Sequence, residues 1–155
     1  MTPMTMEARR LVLRSAYPAA PSAVGIARRH AERRLEDWGV SSALIEDIGL
    51  VISELVTNSV EARVSEFRLV LAEDVPGSIT VEVWDPSSEM PQDSTPRLDD
   101  VEGRGLVIVR ALACHFGVQR DSQGKTVYAV IAPKDPARPI VPATPRFPLS
   151  AGRPV

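Results

Sequence analysis

Glu54 and Asn58 are four residues apart in the run Glu54-Leu-Val-Thr-Asn-Ser59, and on a helix this spacing projects a carboxylate and an amide side by side from adjacent turns. A carboxylate takes up a proton, and an amide oxygen ligates Mg²⁺. Thr57-Asn58-Ser59 sets three weak helix formers in succession where a solvated face would carry strong ones, a local inconsistency that points to a site. The plainer alternative is a solvated acid beside an incidental polar residue. Asp85 ends a strand-like run, where its carboxylate can accept a hydrogen bond from an exocyclic amine; Asp-Pro is also a common turn opener. Gly103-Arg-Gly105 leads a helical pattern, and its glycines would let backbone N–H groups approach phosphate oxygens, although a lone Gly-x-Gly is weak. Gly124-Lys-Thr126 lacks the upstream glycine of a P-loop and precedes a strand, so it is not one.

These residues need elements to hold them. Ile45, Ile48, Ile52, Leu55, Val56 and Ala62 recur at helical spacing from about Ser42 to Ala62, with Asp47, Glu54, Asn58 and Glu61 on the opposite side. Ser41 or Ser42 would cap this helix. An earlier helix runs from Ser22, its expected cap, to about Trp38, with Val24, Ala27, Ala31, Leu35 and Trp38 as its apolar stripe and Gly39 as its stop. Residues 10–14 read as a short strand. In residues 67–71 and 79–83 the odd positions are apolar, and Asp74-Val-Pro-Gly77 between them has hairpin chemistry. Residues 86–102 lose all periodicity and form a long polar loop; residues 106–113 are helical, residues 116–120 make a brief strand, and residues 126–131 a last strand after a turn at Ser122-Gln-Gly124.

The expected fold is α+β, a two-layer α/β sandwich whose mixed, mainly antiparallel sheet carries helices on one face. Residues 1–132 form one domain. From residue 133 prolines recur every third residue (133, 136, 139, 142, 145, 148), which favours an extended, disordered tail over residues 133–155, with a docking peptide as the alternative.

Composition narrows the function. The 155 residues, 44 % hydrophobic and 25 % charged, are ordinary for one globular domain, and no apolar run is long enough for a bilayer. With no secretory pattern at the start, a cytoplasmic location is expected. One cysteine, Cys114, excludes an internal disulfide and a cysteine-based zinc site, and His30 and His115 lack ligand partners at a suitable spacing. A formal charge of −2 gives no support for direct nucleic-acid binding, and the arginines at 28, 29, 33 and 34 read as a solvated helix face.

Taken in order, Glu-x-x-x-Asn on a helix, a strand ending in Asp, a long polar loop, Gly-x-Gly at a helix and Gly-Lys-Thr before the final strand resemble the GHKL ATPase superfamily. Glu54-Leu-Val-Thr-Asn-Ser59, Gly103-Arg-Gly-Leu106 and Gly124-Lys-Thr-Val127 look most like its small anti-sigma-factor serine kinases. The resemblance spans about residues 10 to 132 and implies a Bergerat-type site for ATP and Mg²⁺. By it, Glu54 is the catalytic base, Asn58 the Mg²⁺ ligand, Asp85 the adenine-reading acid, and Gly103, Arg104, Gly105 and Leu106 the second glycine box beside the phosphates. Thr126 supports the adenine, residues 86–102 form an ATP lid, and Arg104 or Lys125 adds positive charge. The implied activity is phosphorylation of a serine on an anti-sigma-factor antagonist, with capture of a sigma factor, by a homodimer. Two departures stand out: Asp85-Pro-Ser-Ser replaces the usual Asp-x-Gly, removing a close backbone approach, and Glu61 adds negative charge near a triphosphate. They keep open a catalytically weak nucleotide-binding module of the same fold.

Overall fold

The computed structural model describes residues 9–87 and 101–133; the side chains of residues 101–105 lie outside that description. Chain order is β1 (Arg10–Pro18), α1 (Pro21–Trp38), α2 (Ser42–Glu61), β2 (Glu66–Glu73), β3 (Ile79–Asp85), α3 (Val101–Leu112), β4 (His115–Arg120) and β5 (Lys125–Ile131). The five strands form one sheet in the order β1-β2-β3-β5-β4. Each neighbouring pair is antiparallel, so the sheet has no parallel component among the described strands and is simpler than the mixed sheet expected.

Alternation along the strands decides where the helices lie. Phe67, Leu69 and Leu71 of β2, Val81 and Val83 of β3, and Val127, Ala129 and Ile131 of β5 are all buried on one face. Against that face pack Ile48, Val51, Ile52 and Leu55 of α2 and Ala27, Ala31 and Leu35 of α1. Full burial of each Ile or Leu contributes about 1.5–3 kcal/mol, so this single layer accounts for most of the drive to fold. The alanines of α1 fall at i, i+4, i+8 from Ala23, and their small side chains let that helix lie close to its neighbours.

Helix ends follow local chemistry with one exception. Ser41 caps α2, its hydroxyl accepting from the Leu44 N–H at 3.3 Å. Ser22, expected as the cap of α1, lies inside that helix instead: Ala20 is the N-cap, and Pro21 starts the helix. Proline fits there because the first helical N–H has no partner in any case and φ is already fixed near its helical value. Gly39, at φ 87°, ends α1 in the left-handed conformation. In the β2–β3 connection, Gly77 at φ 89° makes the turn that Asp74-Val-Pro-Gly77 promised.

Boundaries elsewhere shift outward. β1 continues to Pro18 with a register irregularity between Leu11 and Leu13, and α3 begins at Val101, so residues 101–102 belong to a helix and not to the preceding loop. Most of the expected lid, residues 88–100, and the proline-rich tail from residue 134 lie outside the described residues.

Candidate functional site

Asp85 is the last residue of β3, and its odd position turns it toward the helices, in line with Val81 and Val83. It is only 2 % exposed, which makes its partners decisive. Oδ2 accepts from the hydroxyl of Ser59 at 2.5 Å. Oδ1 accepts from the backbone N–H of Ser87 at 2.8 Å and from the ammonium of Lys125 at 2.9 Å. Lys125 is itself 5 % exposed, so this is a buried ion pair.

The Ser59 bond ties the site to α2. Ser59 directly follows Asn58, and Glu54 lies one turn earlier; both Glu54 and Asn58 are half-buried on the flank of the helix away from its Ile48, Ile52 and Leu55 stripe. One rigid helix therefore presents the carboxylate–amide pair, while a hydroxyl on the same turn anchors it to the strand end that carries Asp85. Through Ser59, the helix that carries Glu54 and Asn58 is joined to the strand end that carries Asp85.

Lys125 reaches Asp85 because the two are opposite each other across β3 and β5, which places both side chains on the same face. Thr126 is opposite Trp84 in the same ladder and so faces the other side of the sheet, away from Asp85. The residue that meets the acid is thus Lys125, for which only an auxiliary charge was expected. Gly124 is needed for this approach, since a Cβ there would run into the carbonyl oxygen of Asp85 and come within 2.8 Å of the Cα of Pro86. Asp121 sets up the turn before it: Oδ1 accepts from the N–H groups of Gln123 at 2.7 Å and Gly124 at 2.8 Å, and Oδ2 accepts from the Trp84 indole at 3.2 Å.

Gly103 and Arg104 lie in the first turn of α3, where backbone N–H groups lack intrahelical partners, whereas Gly105 and Leu106 fall in the second turn, where the carbonyls four residues back are their acceptors. The side chains of the first three are outside the described residues. Leu106 is 1 % exposed, so its side chain is a packing residue. Glu61 is exposed at the end of α2.

Sequence reasoning gave Ser59 no role, and it expected of Lys125 an added positive charge but not its pairing with Asp85. Ser59 did carry a signal, as one of three successive weak helix formers, but its partner is 26 residues away. Other polar groups have structural partners. Tyr17 Oη lies 3.1 Å from His30 Nδ1, and His115 Nε2 lies 3.1 Å from Tyr128 Oη. Arg28 bonds Glu32 and Ser53, and Arg34 donates to the Val12 carbonyl oxygen, so part of the supposed solvated basic face is engaged in packing. Burial pushes the Cys114 thiol above its ordinary pKa, which keeps it protonated and a poor nucleophile at neutral pH. Among the described residues no cluster of three or more His, Cys, Asp or Glu is placed to hold a metal, and no helix is long and apolar enough to cross a membrane.

Comparison with known proteins gives the same fold. A solved structure of the RsbU and RsbW domains of Rv1364c from Mycobacterium tuberculosis matches at a TM-score of 0.56 and 22 % identity, covering 83 % of this chain and 35 % of that one. The histidine kinase domain of the Erythrobacter litoralis EL346 blue-light activated histidine kinase is similar over 70 % of this chain and 60 % of that one, at 18 % identity and a TM-score of 0.43. The chain thus spans about a third of the first of these structures and less than two thirds of the second. No curated protein matches it. A family model described as histidine kinase-like ATPase domain matches residues 17–131, from the end of β1 to the end of the sheet, and the chain belongs to that family.

Proposed function

We propose that the chain binds ATP with Mg²⁺ and is a serine/threonine protein kinase of the anti-sigma-factor type, which transfers the γ-phosphate to a serine of an antagonist protein and also captures a sigma factor. The observation that carries this reading is the anchoring of α2 to the β3 end through Ser59 and Asp85, which holds the Glu54–Asn58 pair in a fixed relation to a buried acid. The oxygen donors fit the groups they would hold. Mg²⁺ favours one or two protein oxygens completed by water and phosphate, which suits Asn58 with a triphosphate. When bound, the metal would neutralise charge on the transferring phosphate. Asn58 would hold it, Glu54 would take the proton of the attacking serine hydroxyl, and Asp85 would accept from the exocyclic amine of the base. The first turn of α3, with Gly103 and Arg104, would offer backbone N–H groups to the phosphates, and Gly105 would stand just behind it. Thr126 contributes no base contact in this reading because it faces the other side of the sheet. The kinase would work as a homodimer in the cytoplasm.

A second reading, a nucleotide-binding regulatory module with weak catalysis, is favoured by Asp85-Pro86-Ser87 where a glycine would allow closer backbone approach, and by the lysine already seated on Asp85. Calorimetric titration with ATP, with and without Mg²⁺, on the natural chain and Asn58→Ala tests the shared site. Magnesium-dependent binding is expected, weakened at least about tenfold by Asn58→Ala; no binding to either protein would overturn both readings. Transfer of labelled γ-phosphate to a partner, abolished in Glu54→Gln, separates the kinase from the module.

A further inference from the structure

Lys125 has more hydrogen-bonding capacity than its described surroundings use. An ammonium offers three donors, and among the described residues the partner of Nζ is Asp85 Oδ1 at 2.9 Å, although Lys125 is 5 % exposed. Asp85 has about four lone-pair sites, of which Lys125, the Ser87 N–H and the Ser59 hydroxyl fill three. The pair stands on the last residue of β3 and the first of β5, at the end of the sheet, where β3 gives way to the Pro86 turn. An acceptor with a free lone pair therefore adjoins a cation with donors to spare. A purine that carries an exocyclic amine has the complementary edge, since the amine donates and the ring nitrogen next to it accepts.

We propose that Lys125 is a base-reading residue: its ammonium donates to the ring nitrogen flanking the exocyclic amine while Asp85 accepts from the amine itself. The inference rests on the nucleotide site argued above and adds to it a direct side-chain contact to the ring. It also gives the buried pair a role beyond cohesion, because the two groups that neutralise each other in the folded chain together match two adjacent atoms of one ligand edge. Thr126 cannot share this contact from the opposite face.

The test uses the full natural chain and calorimetric titration with Mg-ATP, 1-deaza-ATP and 7-deaza-ATP, each analogue replacing one ring nitrogen beside the amine by C–H. One analogue is expected to bind about tenfold to a hundredfold more weakly than ATP, the range for a lost hydrogen bond from a charged donor. In Lys125→Met, ATP should weaken and the difference between ATP and that analogue should vanish. Because the analogue comparison is made on the unaltered chain, it stands even where the variant fails to fold. If both deaza analogues bind the natural chain within twofold of ATP, the base-reading role of Lys125 is overturned and the nucleotide site survives. If ATP itself does not bind, the nucleotide site fails and the lysine proposal falls with it.

Discussion

Glu82 and Asp85 are both buried carboxylates of β3, three residues apart, yet strand alternation puts them on opposite faces of the sheet and gives them different tasks. Glu82 is held by Arg9 at 2.8 Å, a guanidinium that is about a quarter exposed and also lies 3.6 Å from Asp74. That arrangement is a clamp, fastening the residue ahead of β1 to the middle of β3 and to the turn after β2. Asp85 meets a cation almost as buried as itself, together with a helix hydroxyl and a backbone N–H. The difference teaches that burial of a carboxylate does not by itself mark a functional group. What distinguishes Asp85 is that its partners converge from α2, β5 and the turn after β3, and that one of them keeps donors in reserve.

The comparison predicts a graded loss of stability, measurable by urea unfolding. Asp85→Asn should cost the most, about 3–5 kcal/mol, because it leaves the Lys125 charge buried without a counter-charge. Adding Lys125→Met to Asp85→Asn should restore about 2 kcal/mol or more of that loss, since removal of both charges also removes the desolvation penalty; a double variant no more stable than Asp85→Asn would mean that the ion pair is not the source of the effect. Ser59→Ala should cost about 1–2 kcal/mol by taking one donor from Asp85, and should loosen the hold of α2 on the strand end. Glu82→Gln should cost least, about 1 kcal/mol, because the amide oxygen still accepts from Arg9 and the guanidinium can turn to water and Asp74. Equal losses at Asp85 and Glu82 would erase the distinction drawn between them. The same four proteins, titrated with Mg-ATP, sharpen it: Glu82→Gln should bind like the natural chain, while each variant that alters Asp85 should bind more weakly.

Much of this was legible in the residues because it is local. The helical period alone sets Glu54 and Asn58 side by side on α2 and faces them away from Ile48 and Ile52. Clean alternation of Ile79, Val81 and Val83 likewise turns Asp85 inward. The last strand gave no such guidance. Val127 through Ile131 are apolar without interruption and all buried, so neither phase of alternation is preferred by the sequence, and a one-residue choice of phase decides whether Lys125 or Thr126 faces the acid.

Amino-acid order by itself therefore determined the identity of the elements, the apolar layer that joins helices to sheet, and the facing of the α2 pair, because each depends on periodicity within a single segment. Tertiary structure alone decided the all-antiparallel strand order, the phase of β5, and the cluster of Ser59, Asp85, Ser87 and Lys125. These rest on contacts between segments far apart in the chain, with Ser59 and Lys125 meeting Asp85 from 26 and 40 residues away. Such pairings are set by the shared burial of apolar faces, and the buried polar groups then take the partners that this packing leaves within hydrogen-bond reach.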